Sequence, residues 1–156
     1  VEVVTVSIGG NDVTNPIIGA CITGISPGCL GVVASEFAAY ESDLNQALSA
    51  LRTAAGPNAR IVIGTYDNGI GQCYLSAFPG SVQLASLVLE GGLPNTPLAR
   101  GIHDIMRSVG AQYGVEVASS YGKLVPSDWV GGQDCLHPKD SGYAKVAQSF
   151  ADVLIP

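Results

Sequence analysis

The sequence has few positive charges. It contains 7 Lys and Arg residues against 13 Asp and Glu residues, which gives a formal net charge of −6 over 156 residues. The basic residues are scattered along the chain, whereas nucleic acids and anionic membranes are bound by clusters of them. The sequence also lacks an apolar run close to the roughly 18 to 20 residues that span a bilayer. We therefore expect neither a nucleic-acid partner nor a membrane span.

Metal-binding patterns are absent as well. The 4 Cys residues have neither the paired Cys-x-x-Cys spacing nor the Cys/His spacing of a zinc site, so we expect no metal and no cofactor. Four cysteines allow three pairings. Cys21 and Cys29 bracket a turn-forming segment and favour a small closed loop, which leaves Cys73 to pair with Cys135. Two disulfides indicate a secreted protein, and four buried free thiols are the alternative.

The composition indicates a folded chain. Hydrophobic residues make up 47% of it and charged residues 13%. A chain of 156 residues is long enough for one core, so we expect a single domain over residues 1–156. The stretches 1–8 and 60–66 are apolar on both faces, which is typical of central parallel strands covered by helices.

Helical spacing of apolar residues predicts helices over residues 35–56 and 96–113 and another after Pro138, with a short strand at 115–118. This alternation of strands and helices predicts an α/β fold, a three-layer α/β/α sandwich with a parallel sheet.

Two segments, residues 13–34 and 68–95, show no clear period and are predicted to be irregular. Both follow the carboxyl ends of predicted strands, where open α/β sheets bind their ligands. They are therefore the candidate walls of a cleft.

Two polar stretches carry residues suited to chemistry. "GGND" (residues 9–12) follows the first predicted strand, and "DCLHP" (residues 134–138) precedes the last predicted helix. An Asp three residues before a His can hold one ring nitrogen and leave the other facing a cleft. Asp134 and His137 are therefore a candidate general base with its orienting group. Alternatively, Asp134 caps a loop and His137 is a surface histidine.

In combination, these two stretches resemble blocks of the SGNH (GDSL-type) esterase and lipase family. The resemblance implies a flavodoxin-like fold and the hydrolysis of a small-molecule or lipid ester by a Ser-His-Asp mechanism. It implies that Asn11 donates to the oxyanion and that Asp134 and His137 are two members of the triad. The alternative for the first stretch is that Asn11 and Asp12 form an Asx-turn after the strand.

The resemblance extends to the surroundings of these residues. The loop bracketed by Cys21 and Cys29 is similar to one in secreted members of the family. Gly10 and Trp129 are candidate substrate-binding residues, and packing of its own loop is the alternative role for Trp129.

One part of the family pattern is missing. The family nucleophile is a Ser in a Gly-Asp-Ser block on the first strand-to-helix turn, and no such block occurs in this sequence. Ser141 is expected to start the last helix, and Ser7 is expected to point from its strand into the sheet's packing layer. We therefore expect the nucleophile, with one further strand and helix, to come from a segment before Val1, and its absence to leave an apolar sheet edge exposed.

Two other functions compete with the hydrolase. The first is a non-catalytic ligand-binding or structural module on the same fold, and the second is an accessory chain that acts only with a separate N-terminal partner. The other histidine, His103, is expected at the surface of its helix without a catalytic role.

Overall fold

A parallel sheet lies at the centre of the molecule. The computed structural model describes residues 2–155, so Val1, the start of the first predicted strand, lies outside the described residues. Within them the sheet has three strands in the order β1 (Val3–Val6), β2 (Arg60–Gly64) and β3 (Val115–Ala118). Strand β2 pairs in parallel with both neighbours. Strands β1 and β2 both end two residues earlier than predicted, so that the residues after them are loops.

Helices cover both faces of this sheet. Ile61 and Ile63 of β2 belong to the main core together with residues of the long second helix and the fourth helix. On the opposite face, Gly64 lies so close to the last helix that a Cβ there would be 2.5 Å from Cζ of Phe150. The predicted α/β/α sandwich with a parallel sheet is confirmed.

The α-helices are α1 (Gly10–Cys21), α2 (Pro27–Ala55), α3 (Ser81–Glu90), α4 (Ile102–Gln112) and α5 (Asp140–Leu154). Outside the central sheet, β4 (Trp129–Gly131) and β5 (Asp134–Pro138) form a hairpin.

The prediction of an irregular segment over residues 13–34 is wrong. Helix α1 occupies its first part although Pro16, inside the helix, has no N–H to donate. The helix persists because Val13, Ile17 and Cys21 are buried along one side of it. Helix α2 begins at Pro27 rather than at residue 35, because the Ser26 side chain accepts a hydrogen bond from the Cys29 amide at 3.1 Å. Ser-Pro is a recognised helix start, so the sequence did contain this signal.

The second segment predicted to be irregular, residues 68–95, contains helix α3. Two short 3-10 helices, Ile70–Gln72 and Tyr74–Ala77, precede it. Gly80 starts the helix in the left-handed region, with φ of 80°. The prediction is therefore correct for the ends of the segment and wrong for its middle.

Two disulfides hold these segments in place. Cys21 at the end of α1 is bonded to Cys29 in the first turn of α2. Cys73, between the short 3-10 helices, is bonded to Cys135 of β5. The same pairings were favoured by the spacing in the sequence. The second bridge anchors the β4–β5 hairpin, which carries Asp134 and His137, to the loop that follows β2.

Strand β1 forms an edge of the sheet within the described residues. It pairs there only with β2, and Val3 is 44% exposed. An unpaired apolar edge is able to accept a further strand.

The two disulfides should differ in their effect on stability. Cys73 and Cys135 are 62 residues apart and Cys21 and Cys29 are 8 apart. The chain-entropy relation gives about 4 kcal/mol for the longer loop and about 2.5 kcal/mol for the shorter one. We expect Cys73→Ser/Cys135→Ser to lower the free energy of unfolding more than Cys21→Ser/Cys29→Ser in chemical denaturation. An equal or larger loss in the second variant would contradict this account.

Candidate functional site

A cleft of about 490 Å³ opens at the carboxyl ends of β1 and β2. This volume lies within the usual range for small-molecule sites. Its polar end is lined by residues 7–12 after β1, by residues 65–70 after β2, and by Trp129 and residues 136–138 of the hairpin. The cleft therefore brings together the two polar stretches that the sequence singled out.

His137 is oriented by Asp134, which lies three residues earlier in β5. Its Nδ1 lies 2.9 Å from Oδ2 and 3.0 Å from Oδ1 of Asp134. Oδ1 also accepts hydrogen bonds from the backbone N–H groups of Leu136 and His137, each at 3.0 Å. These backbone bonds, and then the imidazole, hold the pKa of Asp134 below its usual value. The carboxylate is therefore ionised, and Nδ1 is the nitrogen that donates to it.

The other ring nitrogen of His137 is free to act. The imidazole lines the cleft and its side chain is 63% exposed. Within residues 2–155, Nε2 of His137 makes no hydrogen bond. A group entering the cleft can therefore exchange a proton with it.

Asn11 reaches the cleft from the first turn of α1. Gly9 makes the change from strand to helix with φ of 92°. A Cβ at Gly9 would also lie 2.2 Å from Cε2 of Tyr40, so only glycine fits this turn. Asn11 is exposed and lines the cleft, and within residues 2–155 its amide makes no hydrogen bond. The alternative Asx-turn is therefore not formed, and the amide is available to a ligand.

The Tyr66 side chain fixes the residue next to Asn11. Its hydroxyl accepts a hydrogen bond from the Gly10 N–H at 3.0 Å. Burial raises the pKa of Tyr66, so the hydroxyl stays protonated. Gly10 lines the cleft, and a Cβ there would lie 3.0 Å from the Tyr66 ring.

The expectation that His103 lies at the surface of its helix is wrong. This residue has no exposed surface, and its Nε2 accepts a hydrogen bond from the Tyr66 N–H at 3.1 Å. Its Nδ1 contacts the carboxylate of Glu90 on α3, and its ring meets that of Tyr121 edge-on. Burial lowers the pKa of His103, and the nearby Glu90 only partly opposes this. The imidazole is neutral, with its proton on Nδ1, and it holds the backbone of Tyr66.

Trp129 is both packed and part of the cleft. It is 6% exposed and lies against Gly69, where a Cβ would be 2.6 Å from its ring. The indole nevertheless lines the cleft. The two roles considered from the sequence are therefore compatible.

The two serines considered as nucleophiles in the sequence, Ser141 and Ser7, differ in their surroundings. Ser141 lies in the first turn of α5, as expected, and its hydroxyl donates to Asp128 at 2.8 Å. Asp128 also contacts Lys145, and this ammonium, with the Val125 N–H and the Ser141 hydroxyl, lowers the pKa of Asp128 to about 2. Ser7 does not point into the packing layer of the sheet as predicted. It follows the end of β1, is exposed and lines the cleft.

Within residues 2–155, no three His, Cys, Asp or Glu side chains are arranged to hold a metal ion. In the same part of the chain, no helix combines the length and apolar character needed to cross a bilayer.

Comparison with known proteins identifies the family of this chain. The model of the GDSL-like lipase/acylhydrolase family matches residues 1–145. The chain belongs to this family. The resemblance noted in the sequence is thus confirmed, and at family level the activity is ester hydrolysis. No curated protein matches the sequence.

Two solved structures share the fold. Phospholipase A1 from Streptomyces albidoflavus NA297 aligns with a TM-score of 0.51 and 18% identity over 95% of this chain and 68% of its own. An extracellular lipase from Streptomyces rimosus aligns with a TM-score of 0.54 and 17% identity, with the same coverage. At these identities the likeness concerns the fold. The two disulfides are consistent with a secreted protein.

Burial of His103 should make stability depend on pH. The folded protein binds a proton at this imidazole less readily than the unfolded chain, whose pKa is near 6.5. The buried, neutral His103 therefore makes its full contribution to the free energy of unfolding above pH 6.5. This contribution is lost as the pH falls below 6.5, by at most about 1.4 kcal/mol per pH unit. We expect the free energy of unfolding to fall more steeply between pH 6.5 and 5.5 in the wild type than in His103→Gln. Equal slopes would show that the pKa of His103 is not lowered.

Proposed function

We propose that this chain carries the base, its orienting carboxylate and one oxyanion donor of a secreted serine ester hydrolase. The observation that carries the proposal is that Asn11 and His137, whose imidazole is held by Asp134, line the same cleft. Family membership supplies the reaction class.

His137 acts as the general base and then as the general acid. Its free Nε2 removes the proton of a serine hydroxyl as that oxygen attacks the ester carbonyl. Asp134 keeps the proton on Nδ1 and stabilises the imidazolium. The imidazolium then gives its proton to the leaving alcohol, and an acyl-enzyme remains. Water, deprotonated in the same way, releases the carboxylic acid.

Asn11 stabilises the charge that develops on the carbonyl oxygen. Its amide makes no other hydrogen bond in the described chain and lies in the first turn of α1. The partial positive charge of a helix N-terminus adds to the effect of the amide donor. Loss of one such donor typically costs about 2.7 to 4 kcal/mol of transition-state stabilisation.

The nucleophile in this proposal is a serine from a segment before Val1, which the family resemblance implies. Two other serines that line the cleft support this, because Ser81 and Ser120 donate their hydroxyls to backbone carbonyl oxygens. The unpaired edge of β1 offers a place for the strand that would bring the segment. Ser7, which is exposed in the cleft, is the competing nucleophile within this chain.

The experiment that tests this compares two proteins: residues 1–156 alone, and the same chain extended by the residues that precede Val1. Each is exposed to a fluorophosphonate, and its intact mass and modified peptide are determined. We expect one adduct, on a serine before Val1, in the extended protein and none in residues 1–156. An adduct on Ser7 would make this chain a hydrolase with its own nucleophile. No adduct in either protein would favour a non-catalytic module.

Substitutions in the extended protein test the assigned roles. We expect His137→Ala to abolish ester turnover, because within residues 2–155 no second histidine lines the cleft, and Asn11→Ala to lower kcat by about 100-fold to 1000-fold. Asn15→Ala is the matched control, since Asn15 is exposed on the same helix but lies outside the cleft. Turnover of a short ester and thermal unfolding are measured for all three. Retained turnover in His137→Ala would remove His137 from the mechanism.

A further inference from the structure

One face of α1 joins the candidate oxyanion donor to an apolar surface. Asn11, Thr14 and Ile18 of α1, and Ile22, which caps its C-terminal end in a helical conformation, all line the cleft. They are 3, 4 and 4 residues apart, and residues at this spacing lie on the same side of a helix. Asn11 stands at the beginning of this stripe, and the side chains become apolar towards its end.

Helix α3 supplies the opposite wall. Its cleft-lining residues are Ser81, Leu84, Ala85, Val88 and Leu89, which recur at helical spacing and are apolar after the first. Ala85, like Ile18 and Ile22, packs against a separate buried cluster that includes Leu75 and the Cys73–Cys135 disulfide. This cluster is the floor on which the two walls meet.

The cleft is therefore polar at one end and apolar at the other. From Asn11 to Ile22 the axis of α1 advances about 16 Å at about 1.5 Å per residue, on the order of the length of an extended chain of a dozen carbons. We propose that the groove between α1 and α3 binds the acyl chain of the substrate, and that the substrate class is an ester of a medium-length to long fatty acid rather than an acetyl ester.

This inference rests on the proposed function for the direction of the acyl chain, with its carbonyl at Asn11. The groove itself can be tested without catalysis. An acetyl group would leave the apolar wall exposed to water, whereas each methylene that enters the groove should tighten binding by about fourfold.

The binding experiment uses residues 1–156 and two carboxylates that differ only in chain length. Sodium dodecanoate, below its micelle concentration, and sodium butyrate are titrated in a calorimeter. We expect one dodecanoate to bind per chain, at least 100-fold more tightly than butyrate. Equal affinities, or many dodecanoate molecules per chain, would overturn the proposal.

Variants locate the bound chain. Ala85→Trp fills the groove and should weaken dodecanoate binding at least tenfold. Gln83→Trp is the matched control, because Gln83 is exposed on the same helix and does not line the cleft. If Ala85→Trp fails to fold, Ile18→Ser and its control Asn15→Ser replace the pair. We then expect Ile18→Ser to bind dodecanoate at least fivefold more weakly. Equal affinities within a folded pair would overturn the proposal.

Turnover by the extended protein separates the two proposals. We expect Ala85→Trp to lower the ratio of kcat/KM for a dodecanoate ester to that for an acetate ester at least tenfold, and Gln83→Trp to leave it unchanged. An unchanged ratio in folded Ala85→Trp would reject the acyl groove while leaving ester hydrolysis intact. Selective dodecanoate binding with no turnover of any ester would instead reject the proposed function alone.

Discussion

The hydrogen bonds of Tyr66 determine the geometry of the polar end of the cleft. Its hydroxyl accepts from the Gly10 N–H in the first turn of α1, and its backbone N–H donates to the buried His103. The His103 ring is held in turn by Glu90 at the end of α3. A single residue in the loop after β2, Tyr66, thus connects the start of α1 with α3 and α4. Asn11 follows Gly10 directly, so the position of its amide depends on this connection.

A separate set of contacts positions His137. The Cys73–Cys135 disulfide and the close approach of Trp129 to Gly69 attach the hairpin to the loop after β2. On the other side, Asp128 accepts hydrogen bonds from two side chains of α5. Asp128 is 3% exposed, so its carboxylate is shielded from water. His137 and Asn11 are therefore held by different hydrogen bonds and contacts, and both sets include the loop after β2.

The sequence predicted the parts of this structure that depend on local pattern. These parts depend on interactions between residues that are close in the sequence. They are the apolar runs at β2 and β3, the helical spacing in α4 and α5, and the Asp-x-x-His spacing. Helix α1 was missed because Pro16 is common in turns, and burial of one side of the helix outweighs that local preference. Helix α3 was missed because it follows Gly80, a residue common in turns, and has only one buried residue, Val88, among those described. His103 was misplaced because its main partner, Glu90, is 13 residues away on another helix, a contact that no local pattern records.

The wrong prediction of an irregular segment in place of α1 affects how the whole cleft is interpreted. If residues 13–34 formed a loop, Asn11 would end a strand and the isoleucines after it would have no defined relation to it. Once the segment is a helix, its period places Asn11, Ile18 and Ile22 on a single line along the cleft. The group that would stabilise charge at the carbonyl and the surface that would hold the acyl chain then belong to one rigid element. Because Gly9 and Tyr66 set the start of that helix, the proposed function makes the same two residues responsible for where the substrate carbonyl would sit and for the direction in which its acyl chain would leave the site.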